Sequence, residues 1–331
     1  MLKFLNHKKV LFITTKNLDY IRNSQELRLI RTQADSCDVI GSYEKSYVKR
    51  LLSVYGKLFR IKVKQYDLIF VGFAPQLVVP FFRKLKKREL AIDFFISLYD
   101  TLVCDRGKFK EKSLVARFFK WLDKKTLLKA DHIVTDTKAH GAYFSEELGA
   151  DMEKEYTLYL EADSSIYYPR EQKKSGGIKD KFVVLYFGSI LPLQGVSVIL
   201  KAIGYLQMRK DIFFYMVGPL GRETERPDHS NVKYISWLSQ EALADKIAEA
   251  DLCLAGHFHG SIAKARRTIP GKAYIYAAMK KPMILGDNEA NREFFEEKDG
   301  EVCYVEMGNP KALAAKVAKL ADKWKEQKGG E

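Results

Sequence analysis

The sequence predicts an α/β chain of two Rossmann-like, doubly wound domains, 1–170 and 171–331, facing each other across a cleft. Three observations predict it. From residue 10 to residue 160, short β-branched and aromatic runs alternate with helix-period segments, the cadence of a parallel sheet covered on both faces. The periodicity is then lost in EADSSIYYPREQKKSGGIKDK (161–181), a polar stretch rich in Lys, Ser and Gly that reads as a linker with its boundary near 170. A second alternating series follows, and 331 residues suffice for two domains.

In the first series VLFITT (10–15) is a buried strand. Ile21, Leu27 and Ile30 give 21–33 helical spacing, and 37–41 is the next strand. Residues 45–64 carry seven cations and no acid, interleaved with apolar residues from Tyr47 to Phe59, which predicts a basic amphipathic helix. A strand at 68–73, a helix at 76–85 running into RKLKKR (83–88) and a strand at 90–95 come next. SLYDTLVCDRGKFKEK (97–112) has no periodicity and reads as a loop facing the cleft. Residues 113–130 form a second basic amphipathic helix, with Phe118, Phe119 and Trp121 among Arg117, Lys120, Lys124 and Lys125. A strand at 132–135, a helix at 138–148 and a strand at 155–160 complete the series.

The second series reads as strand 181–187, helix 196–207, strands 212–217 and 232–235, helix 240–249 and strand 251–255. After a basic stretch come a strand at 283–285 and a helix at 289–296. A terminal helix starts at Asn309-Pro310, a cap followed by proline in the first turn. No internal repeat of solenoid period is visible.

Composition narrows the function classes. With 47% hydrophobic and 12% aromatic residues the chain can bury two cores, which excludes wholesale disorder. Lys and Arg outnumber Asp and Glu by 56 to 42, a formal charge of +14 that favours an anionic partner: nucleotide, phospholipid surface or nucleic acid. No nucleic-acid motif is recognisable, so that class ranks last. Cys37, Cys104, Cys253 and Cys303 are scattered without a Cys-x-x-Cys pair, against a zinc site or disulfide framework and in favour of a reducing cytoplasm. The start, MLKFLNHKKVLFITT, reads as a first strand and not as a signal peptide. The longest weakly polar run, 68–82, is interrupted by Pro75, Gln76 and Pro80 and is too short to span a bilayer, so any membrane contact is peripheral.

Four stretches carry chemistry. In KARRTIPGKAYIYAAMKKPMILGD (264–287), the cations Lys264, Arg266, Arg267 and Lys272 surround Pro270-Gly271 at the start of a helix. Cations at a helix N-terminus make a phosphate cradle; the alternative is a solvated basic loop capping an ordinary helix. YFGSILPLQG (186–195) joins the first strand of the second domain to its first helix. Gly188 and Gly195 there either admit a phosphate to the backbone or make a tight turn. Neither Gly-x-Gly-x-x-Gly nor a Walker lysine is present, which disfavours dinucleotide oxidoreductases and P-loop enzymes. His257 and His259 end a strand, but no acid or cysteine follows at ligand spacing, so no metal is expected. Finally, GDNEANRE (286–293) opens a helix. Asp287, Asn288, Glu289 and Glu293 either hold sugar hydroxyls or serve as cap and first-turn acids.

The succession FGSILPLQG, ADLCLAG, KARRTIPGK, KPMILGDNEANREFF is similar to bacterial nucleotide-sugar glycosyltransferases of family four, in the branch with Pro-Leu-His-Gly and Ile-Pro-Asn-Lys motifs. DFFISLYDT (93–101), ADHIVTDT (130–137) and EADSSIYYP (161–169) have counterparts in the first half, so the resemblance spans nearly the whole chain. It implies a GT-B fold with the sugar nucleotide on the C-terminal domain and the acceptor on the N-terminal one. It also implies transfer with retention, with no metal or other cofactor. The leaving diphosphate is then neutralised by protein cations and N–H dipoles, the task of Lys264, Arg267, Lys272 and the 188–195 loop. The family's paired Arg and Lys of the first loop correspond to Ser189 and Gln194, and its paired glutamates to Arg267 and Ile275. Ile275 cannot accept a ribose hydrogen bond, so either the later cations hold the diphosphate or donor binding is weakened. The sugar contacts survive as Asp287, Asn288 and Glu293.

On the acceptor side Asp100 is the candidate for touching the acceptor hydroxyl, with Asp93 second and of structural character. The two basic helices either lie on an anionic leaflet or pack on the sheet with solvated cations. The expectation is a retaining transferase on the cytoplasmic face of the cell membrane, building a surface polysaccharide on a glycan or lipid-linked acceptor. The alternative is a catalytically silent relative that binds a glycan or a partner enzyme.

Overall fold

A computed structural model describes residues 2–171, 174, 176–189, 191–220 and 226–329; Ile190 of the first loop and part of the linker stretch lie outside these. The chain forms two compact units, Met1–Glu161 and Ala162–Glu331, where composition placed the division at 170.

Unit 1 contains β1 (Lys9–Ile13), α1 (Ile21–Gln33), β2 (Ser36–Ile40), α2 (Tyr47–Arg60), β3 (Leu68–Val71), β4 (Glu89–Asp93), α3 (Leu114–Leu127), β5 (His132–Thr135), α4 (Lys138–Leu148) and β6 (Glu155–Thr157). The strands form one sheet in the order β2-β1-β3-β4-β5-β6, each pair parallel. Parallel strands need crossovers, and the alternation of inward residues assigns them to faces. Phe12 and Phe70 meet Leu27 and Ile30 of α1 on one face. Leu11, Ile13, Ile69 and Ile92 meet α2, α3 and α4 on the other, through Val54, Leu58, Leu127 and Phe144.

Two expectations fail in unit 1. Residues 76–85 are not one helix: Pro75–Leu77 and Arg83–Lys87 are separate 3-10 turns. Pro80 between them has no N–H to donate and restricts Val79 before it. The 97–112 stretch is not wholly loop, because Asp100–Asp105 forms a π-helical turn.

Unit 2 contains β7 (Phe182–Phe187), α5 (Val196–Tyr205), β8 (Ile212–Val217), β9 (Val232–Ile235), α6 (Gln240–Glu249), β10 (Leu252–Gly256), α7 (Lys264–Arg267), α8 (Gly271–Ala278), β11 (Met283–Gly286), α9 (Glu289–Phe294), β12 (Val302–Val305) and α10 (Pro310–Gly329). Its parallel sheet runs β12-β11-β10-β7-β8-β9. From β7 the chain steps to β8 and β9, then returns to the other side of β7 for β10. The strand order therefore reverses between β7 and β10, the place where doubly wound sheets bind ligands beyond their carboxyl ends.

Candidate functional site

The turns leaving β7 and β10 enclose one lysine. Gly188 follows β7 at φ 143°, and Gly256 closes β10 at φ 90°. Lys272, the second residue of α8, sends its amine between them: a Cβ added at Gly188 would stand 3.0 Å from Nζ, and one at Gly256 3.1 Å. Backbone angle and close approach both require glycine at these two positions. Lys272 Nζ donates to Gln194 Oε1 at 2.6 Å and lies 4.3 Å from the centre of the Tyr186 ring. Gln194 belongs to the Pro192–Gln194 turn, and Gly195 after it caps α5 with a left-handed backbone.

The electrostatics of this pocket are one-sided. Lys272 is only 6% exposed, and among the described residues no carboxylate pairs with it. Burial alone pulls its amine down to about 7, because the charged form loses water and meets no counter-ion. The Tyr186 hydroxyl is buried without a hydrogen-bond partner among the described residues, and burial pushes its titration up. A Cβ at Gly188 would lie 3.5 Å from that oxygen. An uncompensated amine and an unsatisfied hydroxyl beside glycine backbone are suited to an anionic oxygen cluster such as a diphosphate.

The remaining C-terminal candidates adjoin this pocket through short elements. Pro270 is the N-cap of α8 and not its first residue, with φ −64° and ψ 128°. α7 packs on the Pro192–Gln194 turn and on α9, with Leu193, Ala265 and Met307 buried together. That packing brings half-buried Lys264 and Arg267 beside the loop that contains Ser189, itself exposed. Asn288 is buried: its Oδ1 accepts the Asn291 N–H at 2.8 Å as the cap of α9, and its Nδ2 donates to Ala265 O at 3.2 Å. Its side chain therefore ties α7 to α9. Asp287 is exposed and paired with Arg292 through both oxygens at 2.5 and 2.9 Å, which holds its carboxyl below the usual range. Glu289 is exposed and Glu293 half-buried on the same helix.

His257 and His259 are engaged separately. His257 Nδ1 donates to Thr268 O at 2.8 Å, tying the end of β10 to the segment before α8. His259 Nδ1 accepts from the Ser261 and Ile262 N–H groups at 3.3 Å each. Among the described residues no group of three or more His, Cys, Asp or Glu side chains is placed to hold a metal ion.

In unit 1 the candidate loop follows β4. Asp100 is buried and its N–H donates to Ser97 Oγ at 2.9 Å. Sequence reasoning missed the residue that shapes this loop, Asp123 of α3. Its carboxylate accepts from Ser97 Oγ (2.7 Å), Tyr99 N (2.9 Å), Leu98 N (3.1 Å) and Gln76 Nε2 (2.9 Å). Burial raises its titration to about 6 against the pull of those four donors. Asp93, at the end of β4, accepts from Arg22 Nη2 at 2.8 Å and Nε at 3.2 Å, and both residues are buried.

Residues 181–323 match the family described as Glycosyl transferases group 1. No curated protein sequence matches the chain. Among solved structures the chain resembles HepE of Anabaena in complex with UDP (TM-score 0.64, 13% identity, 96% of this chain and 90% of that one). It also resembles sucrose-phosphate synthase of Thermosynechococcus elongatus (TM-score 0.66, 12% identity, 95% and 90%). A third likeness is to a glycosyltransferase of Rickettsia africae (TM-score 0.60, 14% identity, 96% and 89%). At these identities the structural likeness is one of fold, that of GT-B proteins with two Rossmann-like units. The chain thus has the fold of GT-B proteins, and its residues 181–323 carry the match to the group 1 glycosyl transferases.

Proposed function

We propose that the chain transfers a sugar from a nucleoside diphosphate sugar to a saccharide acceptor, with retention and without a metal ion. The observation that carries this reading is the Lys272 amine, buried between Gly188 and Gly256 with no carboxylate among the described residues to neutralise it. A diphosphate seated there supplies the missing negative charge, and its charge grows as the glycosidic bond breaks. Interactions that strengthen with that charge lower the barrier. HepE, similar in fold, has been crystallised with UDP and with UDP-glucose, which supports a nucleotide donor here.

In this reading Lys264 and Arg267 on α7 add positive charge beside the 188–195 loop. Gly188, Ser189, Gln194 and Gly195 offer backbone and amide contacts, and Pro270 sets the start of α8 so that Lys272 points inward. Asp287, Glu289 and Glu293 meet the donor sugar, and Asn288 positions them through its cap. Asp100 meets the acceptor hydroxyl. The acceptor is lipid-linked and the protein works peripherally at the cytoplasmic face of a membrane. Among the described residues no helix is long and apolar enough to cross one.

The test is a thermal-shift panel of UDP-, GDP- and dTDP-glucose without added metal. At least one raises Tm by mass action, and Lys272→Ala removes that rise. No shift with any of the three contradicts the reading.

A further inference from the structure

We infer that the outer side of the α2–α3 layer of unit 1 is a docking face for an anionic phospholipid leaflet, and that α3 links this face to the Ser97–Asp100 loop. A helix covering a sheet needs one apolar side. Both helices have that side satisfied and then carry a second one. On α2, Val54 and Leu58 are fully buried while Leu52 is 65% and Phe59 74% exposed. On α3, Ala116, Leu122 and Leu127 are buried while Leu114 is 80%, Trp121 50% and Leu128 72% exposed. Phe118 and Trp121 stack outside at 5.8 Å between ring centres. Residues 114, 118, 121 and 128 follow the period of one helix face, so these exposed groups form a ridge.

The two ridges lie on the same side of the sheet, since α2, α3 and the segment between β3 and β4 all pack into one core cluster. Exposed Phe81 sits on that intervening segment, followed by the Arg83–Lys87 turn with its four cations. Lys129 Nζ reaches the Val79 and Pro80 carbonyls at 3.1 and 3.3 Å, joining the end of α3 to the segment. Cations outnumber the acids around the ridges, where Lys120 pairs with Glu147 at 3.3 Å and Lys86 with Asp131 at 2.5 Å. Arg117, Lys124 and Lys125 form no ion pair among the described residues, and the only acid on α3, Asp123, is buried inward. Exposed aromatics ringed by unpaired cations suit an interface where rings enter the headgroup region and ammonium groups meet lipid phosphates. An acidic protein surface would use the cations but leave the apolar ridges wet.

The inward side of α3 gives the face a consequence for the site. Asp123 accepts from the Leu98 and Tyr99 N–H groups and from Ser97, so the helix that lies on lipid also holds the loop carrying Asp100. This last step rests on the acceptor role proposed for Asp100; the docking face does not.

The experiment is vesicle flotation of the full chain with phosphatidylcholine alone and with about 30% phosphatidylglycerol. Binding is expected only with the anionic lipid, together with a blue shift of Trp121 fluorescence. Phe118→Ser/Trp121→Ser and, separately, Lys124→Glu/Lys125→Glu each weaken it at least tenfold, whereas Trp237→Ser, exposed in unit 2, does not. Each variant is first shown to keep its Tm. Equal binding to both vesicles, no binding, or wild-type binding by the folded variants overturns the inference. So does an acidic protein or a nucleic acid that binds in place of vesicles and is unaffected by the Phe118→Ser/Trp121→Ser pair. Because vesicle binding is read without any sugar nucleotide, its failure is separable from a failed donor shift.

Discussion

The carboxyl ends of the two sheets are built on opposite electrostatic plans. In unit 1 the buried charges answer one another: Arg22 binds Asp93 and the Leu158 carbonyl, Glu26 lies 3.6 Å from the same guanidinium, and Asp123 collects four donors. Burial, and after it the neighbouring Asp93, pushes the Glu26 carboxyl well up. In unit 2 the buried Lys272 has an amide oxygen and a ring for company, and no acid among the described residues. A balanced edge stabilises its own loops and suits a neutral, hydroxylated ligand. An unbalanced edge is unfinished without an anion. In the proposed reading the two halves thus differ in the charge of the ligand each receives.

The largest break in that comparison comes from unit 1. Arg22→Ala leaves Asp93 buried and unpaired and destabilises the unit by about 3–5 kcal/mol, read by denaturant unfolding. Lys272→Met does the reverse in unit 2: the empty protein gains about 2 kcal/mol near neutral pH while the donor-induced rise in Tm disappears. The sign follows from proton counting. An unfolded lysine keeps its proton to about pH 10.4, whereas folded Lys272 releases it near 7. Between those values the unfolded chain binds more protons, so wild-type stability rises with pH across that window and is lost on acidification. The Met variant shows a flatter profile of Tm against pH. Asp123→Ala leaves two loop N–H groups and Gln76 without their acceptor and costs about 1–3 kcal/mol, with faster hydrogen exchange at Leu98 and Tyr99. The smallest effect is Gly256→Ala, whose methyl would stand 2.5 Å from Gln194 Oε1 and so displaces the Lys272 partner; donor affinity falls by about tenfold, or ~1.4 kcal/mol.

Much of this fold was legible as periodicity. α1, α4, α6, β5, β8 and β9 end where apolar spacing and capping residues say they should, because each buries one face against a sheet. β12 escaped notice: Val302–Val305 stands between two glutamates at the sheet edge. The 76–85 region shows the opposite error, in which apolar spacing outweighed Pro80, which forbids a continuous helix. At the site, residue type was legible and burial was not. Lys272 reads as one cation among four until β10 and α8 enclose it, and Asp123 goes unremarked on a basic helix until the 97–99 loop closes over it. Of the two readings of the basic helices, packing on the sheet is met by an inner apolar set, while a second, outer apolar set stays exposed.

The central claim is that Lys272 acquires its full charge from the ligand. Calorimetry of UDP-, GDP- and dTDP-glucose at pH 8, in two buffers of different ionisation heat, measures this directly, since these diesters have no phosphate titration of their own near that pH. The account predicts uptake of close to one proton per bound donor, absent in Lys272→Met, with affinity level below pH 7 and falling up to tenfold per unit above it. Tight binding with no proton exchange would contradict it.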